Sequence, residues 1–249
     1  MYVGPVALNR AHQHYAHQIA WSLETELVAI GAHGPVHGAG YLVCSAAVHR
    51  VESSAWLQTI YLAPEMQGTQ WLVERAGGSL AVLTLLEARQ LSAILLNWRE
   101  PHASDRDALA SPDSPNDDVR LALVLRHLEQ GLHSPLRAVE VAQLVHLSPS
   151  RFLHWFTDSL GLPFRAYVRW LRLQAAVRSL AQGGNLTEAA HLAGFADSAH
   201  LSRTFVSAFG ITPNSLAEVE ITVSDNEFPM RQIAHALNAK PTGNAFSDS

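Results

Sequence analysis

Cysteine is almost absent from these 249 residues, and Cys44 stands alone. A lone thiol cannot close an intrachain disulfide, so nothing calls for an oxidising compartment, and a cysteine-rich zinc pattern is excluded. Long apolar runs are missing too. The most hydrophobic stretch, Leu80 to Leu96, is interrupted by Glu87, Arg89 and Gln90 and is too polar to cross a bilayer. The opening Met1-Tyr-Val-Gly-Pro5 has neither a basic nor an apolar leader region, so no signal peptide is expected. Neither a Ser/His/Asp nucleophile signature nor a Gly-rich phosphate loop is present. These absences predict a soluble, cytoplasmic protein without a membrane partner. The apolar fraction of 48% is enough for proper cores, and the length allows one large domain or two modest ones.

Positive charge is also scarce overall, at a net −5, but its distribution is uneven. Residues 1–117 carry a balance of −5, residues 118–217 of +3, and residues 218–249 of −3. Six of the 14 histidines fall in the positive segment. A basic module beside an acidic one fits a nucleic-acid-binding part attached to a part with another task.

The positive segment contains one pattern twice. The first copy runs from Val141 to Phe156 and reaches Gly161; the second runs from Ala189 to Phe205 and reaches Gly210. Leu144 matches Leu192, Phe156 matches Phe205, and Gly161 matches Gly210. A repeat of this period means one supersecondary unit used twice. Each copy reads as helix, tight turn, helix. Ser148 caps the second helix of the first copy, with Pro149 at its first position, where a missing N–H costs nothing. Phe152, Trp155 and Phe156 share a face. In the second copy Asn185 and Glu188 have capping-box spacing, Gly194 suits a positive φ, and Asp197 or Ser198 caps the next helix. Leu201, Phe205 and Phe209 form its buried row. Phe164 to Ala181, free of Gly and Pro, is a long helix joining the copies, with Arg165, Arg169 and Arg172 as a stripe that either meets phosphates or is solvated and internally paired. Its 18 residues span about 27 Å, against roughly 34 Å between successive major-groove faces.

The segment Gly194-Phe-Ala-Asp-Ser-Ala-His-Leu-Ser-Arg-Thr-Phe-Val-Ser-Ala-Phe-Gly-Ile-Thr-Pro213 closely resembles the signature of the AraC/XylS family of bacterial transcription regulators. The resemblance covers about 100 residues and both repeats. It implies a sequence-specific regulator, and an RNA polymerase contact if the output is activation. It implies that Ser150, Leu153 and His154 on the first recognition helix, and Ala199, Ser202 and Arg203 on the second, face the major groove. Arg151, Ser198 and His200 complete the expected DNA-binding set, with His200 suited to a phosphate. Arg172 matches a linker-helix arginine that often pairs internally.

Upstream, Val6–Leu8, Gln18–Leu23, Leu27–Ile30, Tyr41–Cys44 and Trp56–Leu62 read as short strands punctuated by glycines. This segment resembles the cupin-like barrel that precedes the DNA-binding part of many such regulators, where it binds an effector and helps dimerisation. His12-Gln-His14 matches the first cupin motif, with Gln18 nearest to the absent Glu; His49 matches the second, without its Pro and Gly. His12 and His14 share a strand face, His17 points away, and with His49 they are candidates for a three-nitrogen divalent metal site. The alternative is a degenerate cupin whose histidines are ordinary pocket or surface residues. Thr69–Ala76 and Thr84–Trp98 read as helices flanking a short strand at Ser79–Leu83, and the second helix packs on its own barrel or pairs between subunits.

The expected fold is therefore α+β in two domains. An N-terminal cupin-like β-barrel with flanking helices (1–99) precedes a Pro/Ser/Asp-rich linker (100–117). An all-α domain with two helix-turn-helix motifs joined by a long helix (118–220) follows, then a polar tail (221–249) in which 231–237 adds a helical turn or two. The expected function is an effector-responsive DNA-binding regulator, an activator in the family's usual role, with double-stranded DNA, a small-molecule or metal effector and a homodimer as partners. The competing reading is a metal-dependent cupin enzyme with a helical appendage.

Overall fold

A computed structural model gives the architecture; it describes residues 2–5, 9–52, 56–63, 69–97, 116–218, 220–221 and 230–238. The expected strand at Val6–Leu8, the linker up to residue 115 and the tail beyond residue 238 lie outside the described residues.

The N-terminal domain is layered. Its larger sheet has six antiparallel strands: β1 (Tyr2–Pro5), β2 (His17–Trp21), β5 (Gly40–Val43), β7 (Trp56–Leu62), β8 (Leu80–Leu83) and β9 (Glu220–Ile221). Its smaller sheet has β3 (Leu27–Gly31), β4 (Gly34–Gly38) and β6 (Arg50–Glu52). Strand alternation sorts the side chains by layer. Ala20, Tyr41, Val43 and Leu57 meet Leu27, Ala29 and Val51 between the sheets. Ile19, Trp21, Leu42, Ile60 and Leu62 face the opposite way, onto helices α1 (Gln70–Arg75) and α2 (Leu85–Asn97). Every residue of β2 is buried because both of its faces are covered. Two facing sheets thus stand where the sequence predicts a barrel. Edge strands β4 and β8 come together where Gly38 lies against Val82, and a Cβ at Gly38 would stand 2.2 Å from Val82 Cγ1.

The helical domain begins with α3 (Asn116–Gln130). The first motif is α4 (Ala138–Leu144) and α5 (Pro149–Leu160); α6 (Phe164–Ala181) leads to α7 (Leu186–Leu192) and α8 (Ser198–Phe209). Local chemistry sets the boundaries as the sequence predicts. Ser148 accepts from the Arg151 N–H with Pro149 in the first turn. Asn185 and Glu188 form a capping box, and Asp197 accepts from the His200 N–H. Both recognition helices end on left-handed glycines, Gly161 and Gly210. Helix α6 is buried nearly all round, because it serves two cores. Phe164, Tyr167, Val168 and Leu171 join Phe152 and Phe156 of the first motif. Trp170, Leu173 and Ala176 join Leu201, Phe205 and Phe209 of the second.

The chain after the second motif returns to the N-terminal domain. Strand β9 pairs antiparallel with β1, and α9 (Met230–Asn238) buries Ile233 and Leu237 against α2. Arg75 donates to the Leu237 carbonyl and pairs with Glu87. The polar-tail expectation for 221–249 anticipated the short helix but not this docking.

Candidate functional site

The recognition helices present the faces that their buried rows leave outside. On α5, Phe152, Phe156 and Leu160 are buried, while Ser150, Arg151, Leu153 and His154 are exposed, Leu153 by 42%. On α8, Leu201 and Phe205 are buried, Ala199, His200 and Arg203 are exposed, and Ser198 and Ser202 are half-buried. The Ser202 hydroxyl turns back to the Ser198 carbonyl at 2.8 Å. His200 stacks edge-on against Phe195, ring centres 5.3 Å apart, which steadies it at the helix start. Asp197 caps the helix by accepting the His200 N–H, and among the described residues no ion pair joins it to Arg203. Arg203 therefore keeps the planar fork with which arginine bonds both acceptors of a guanine. On α6, Arg165 and Arg169 are exposed, whereas Arg172 donates to the Ser134 carbonyl at 3.2 Å, and burial lowers its pKa. Arg172 thus ties α6 to the loop that precedes α4.

The candidate metal residues also meet. His12 and His49 form an isolated antiparallel bridge, and His14 lies in the irregular segment that follows rather than on a regular strand. The rings of His12, His14 and His49 stand 4.2 to 5.8 Å apart, all buried, with ligand nitrogens within 4.8 Å of one another. Each Nδ1 faces a backbone carbonyl: Arg10 at 2.8 Å from His12, Ala16 at 2.8 Å from His14 and Ala47 at 3.0 Å from His49. A carbonyl only accepts, so each Nδ1 carries the proton and each Nε2 keeps a bare lone pair. Burial is the main cause that drives His12 down to about 4 and His49 to about 3, with neighbouring histidines adding to it; burial likewise lowers His14. Three neutral imidazoles with converging lone pairs are the donor set of a borderline divalent metal. The amide of Gln18 lies 2.9 Å from His14 Nε2 and 3.0 Å from His49 Nε2, and 3.4 Å from the Tyr41 hydroxyl. His17 points away, its Nδ1 accepting from the Ser45 N–H.

One arrangement had no signal in the sequence. The histidine cluster abuts the end of α8. The Arg10 N–H donates to the Gly210 carbonyl, and a Cβ on Gly210 would meet the Arg10 carbonyl and His12 Nδ1, each at 2.7 Å. Tyr61 stacks edge-on between His14 and Phe209, at 5.1 and 5.4 Å. Beside this contact a cleft of about 290 Å³ lies between the domains, lined by Tyr15, Trp170 and Leu173 and by Arg169, His200 and Arg203.

Residues 141–218 match the family described as a helix-turn-helix domain. The HTH-type transcriptional activator RhaR of Pectobacterium atrosepticum is 31% identical over 136 residues, which is 53% of this chain and 45% of that protein. The uncharacterized HTH-type transcriptional regulator YpdC of Escherichia coli is 31% identical over 101 residues, 40% of this chain and 35% of that one. The chain thus spans less than half the length of these relatives. Among solved structures, ToxT from Vibrio cholerae O395 superposes with a TM-score of 0.56 over 86% of this chain and 95% of that one, at 12% identity, a likeness of fold. Residues 141–218 thus form a helix-turn-helix domain. No helix among the described residues is long and apolar enough to cross a membrane.

Proposed function

We propose that this protein is a sequence-specific DNA-binding transcriptional regulator whose N-terminal domain responds to an effector. The observation that carries this reading is the pair of capped recognition helices whose polar faces stay outside while the aromatic rows beneath them share one rigid helix, α6. Arg203 reads a base, Leu153 meets a thymine methyl, and Arg165, Arg169 and His200 suit phosphates. Ser150, Arg151, His154, Ser198, Ala199 and Ser202 complete the two faces. Activation is carried over from a relative named as a transcriptional activator, and an RNA polymerase contact and a homodimer belong to the same proposal. The metal-dependent enzyme is the weaker reading, because the regulator alone accounts for the helical half of the chain.

For the effector, the three-histidine cluster is read as a divalent metal site. Its fit rests on the three Nε2 atoms, left without hydrogens by the Nδ1 bonds to carbonyls, with the Gln18 amide beside two of them. A second effector reading is a small organic anion in the interdomain cleft, favoured by its two arginines beside an apolar wall. ToxT has been solved bound to an unsaturated fatty acid. Footprinting of the full chain on genomic fragments flanking its own coding sequence tests the regulator. Protection of two segments about one helical turn apart is expected; a folded protein that protects nothing sinks the reading.

A further inference from the structure

We propose that the three-histidine site is reversibly occupied by a divalent metal, and that its occupancy sets how firmly the second helix-turn-helix motif docks on the N-terminal domain. The inference rests on the metal reading above and adds both reversibility and coupling to it.

Reversibility follows from Gln18. Its amide oxygen lies against two Nε2 atoms without hydrogens. With a metal present, the amide oxygen faces the ion and completes the ligand set. Without one, an oxygen facing two lone pairs is repulsive, and turning the amide by half a revolution corrects it. The NH2 group then donates to His14 and His49, and the oxygen takes the Tyr41 hydroxyl. A carboxylate in this place has no donor to offer and leaves the metal-free site unsatisfied. A neutral ligand also leaves the charge of the bound ion uncompensated, which weakens binding. Gln18 therefore suits a site that fills and empties, rather than one that holds a resident ion.

Coupling follows from a short chain of contacts. A metal on Nε2 polarises the His12 ring and strengthens the Nδ1–H bond to the Arg10 carbonyl, the outer-shell bond that orients a metal-bound histidine. Arg10 is the residue whose N–H holds the Gly210 carbonyl at the end of α8. The Arg10 carbonyl and His12 Nδ1 also form the wall that a side chain on Gly210 would strike. Ordering the segment from Asn9 to His14 around a metal thus orders the seat on which α8 ends. Linkage is reciprocal, so a change in that seat made from the α8 side alters metal affinity.

The test uses the full chain and Zn2+. Wild type is expected to take up one equivalent, lost in His12→Ala/His14→Ala/His49→Ala; no uptake by wild type overturns the metal reading itself. Zn2+ is expected to slow amide exchange at the end of α8 and in the Asn9–His14 segment. Gly210→Ala is expected to weaken Zn2+ binding at least fivefold. Gly161→Ala carries the same left-handed strain with nothing within 4 Å of its new methyl, and is expected to bind as wild type does. If Gly210→Ala does not fold, Tyr61→Ala breaks the contact from the other side with the same expected loss. Gln18→Glu is expected to tighten binding at least tenfold. Zn2+ uptake with unchanged exchange and equal affinities in the seat variants overturns the coupling, while leaving the site standing. An unchanged affinity in Gln18→Glu overturns the argument for reversibility.

Discussion

The two motifs share a turn position at which opposite substitutions should have opposite effects. Gly194 in the second motif and His146 in the first are equivalent in the repeat, and both have positive φ, 73° and 55°. Left-handed backbone costs a residue with a Cβ about 1–2 kcal/mol relative to its ordinary conformation. At Gly194 a methyl would add a steric cost, because it would sit 2.0 Å from the Leu132 carbonyl oxygen and 3.2 Å from Arg172 Nε. Backbone on one side and a braced arginine on the other leave little room to yield, and overpacking of this kind costs about 1–3 kcal/mol. Gly194→Ala should therefore destabilise the helical domain by about 2–5 kcal/mol, the sum of these terms. His146→Gly removes the strain but adds freedom to the unfolded chain, so a net gain of about 0.5–1 kcal/mol is expected. Thermal unfolding of the full chain is a suitable assay, since 1 kcal/mol shifts a domain of this size by roughly 2–4 °C or somewhat more. Gly161→Ala, strained but unobstructed, should fall between the two. A loss on His146→Gly, or equal losses for Gly194→Ala and Gly161→Ala, would refute the reasoning.

Other expectations follow from the same contacts. Ile233→Ala and Leu237→Ala empty the seam between α9 and α2, and each should cost about 2–5 kcal/mol in the N-terminal domain, read by denaturant unfolding; no loss would mean that α9 does not hold there in solution. Phe156→Ala removes a ring packed against Phe152, Phe164 and Tyr167 and should cost about 3–5 kcal/mol, with the helical signal lost first from residues 138–171. Acidification should destabilise chelator-treated protein. His12 and His49 are held at about 4 and about 3, below the ordinary 6.5, so the unfolded chain binds protons that the folded one refuses. Their contribution is fully present above pH 6.5 and is lost as the pH falls towards 4 and then 3. The triple alanine variant should show a shallower fall, and equal slopes would contradict burial of neutral rings.

Features set by local chemistry were legible in the sequence. Ser148, Asn185, Glu188 and Asp197 cap helices wherever they stand, and the bounds of α6 and β7 follow from uninterrupted periodicity. Strand β4 was hidden because Gly34-Pro-Val-His-Gly38 has the composition of a turn. Pro35 is tolerated there because β4 is an edge strand, where a missing N–H breaks nothing. Three histidines and Gln18 could be named as a group from two motif fragments. That they meet through a bridge from His12 to His49, rather than along one regular strand, depends on pairing between distant residues. The return of β9 and α9, and the seat of Gly210 on Arg10, have no local signature, since each depends on a partner some 140 to 220 residues away in the chain.

The central claim is that these helices read DNA sequence, and Arg203 tests it most directly. The measurement is binding of wild type and Arg203→Ala, as full chains at one salt concentration, to an operator and its single-base variants. The account predicts that the substitution costs about 1–3 kcal/mol on the operator and abolishes discrimination at one base pair while leaving the other positions as selective as before. A drop by one common factor on every sequence, with a salt slope lowered by about 1, would make Arg203 a phosphate contact and contradict the assignment.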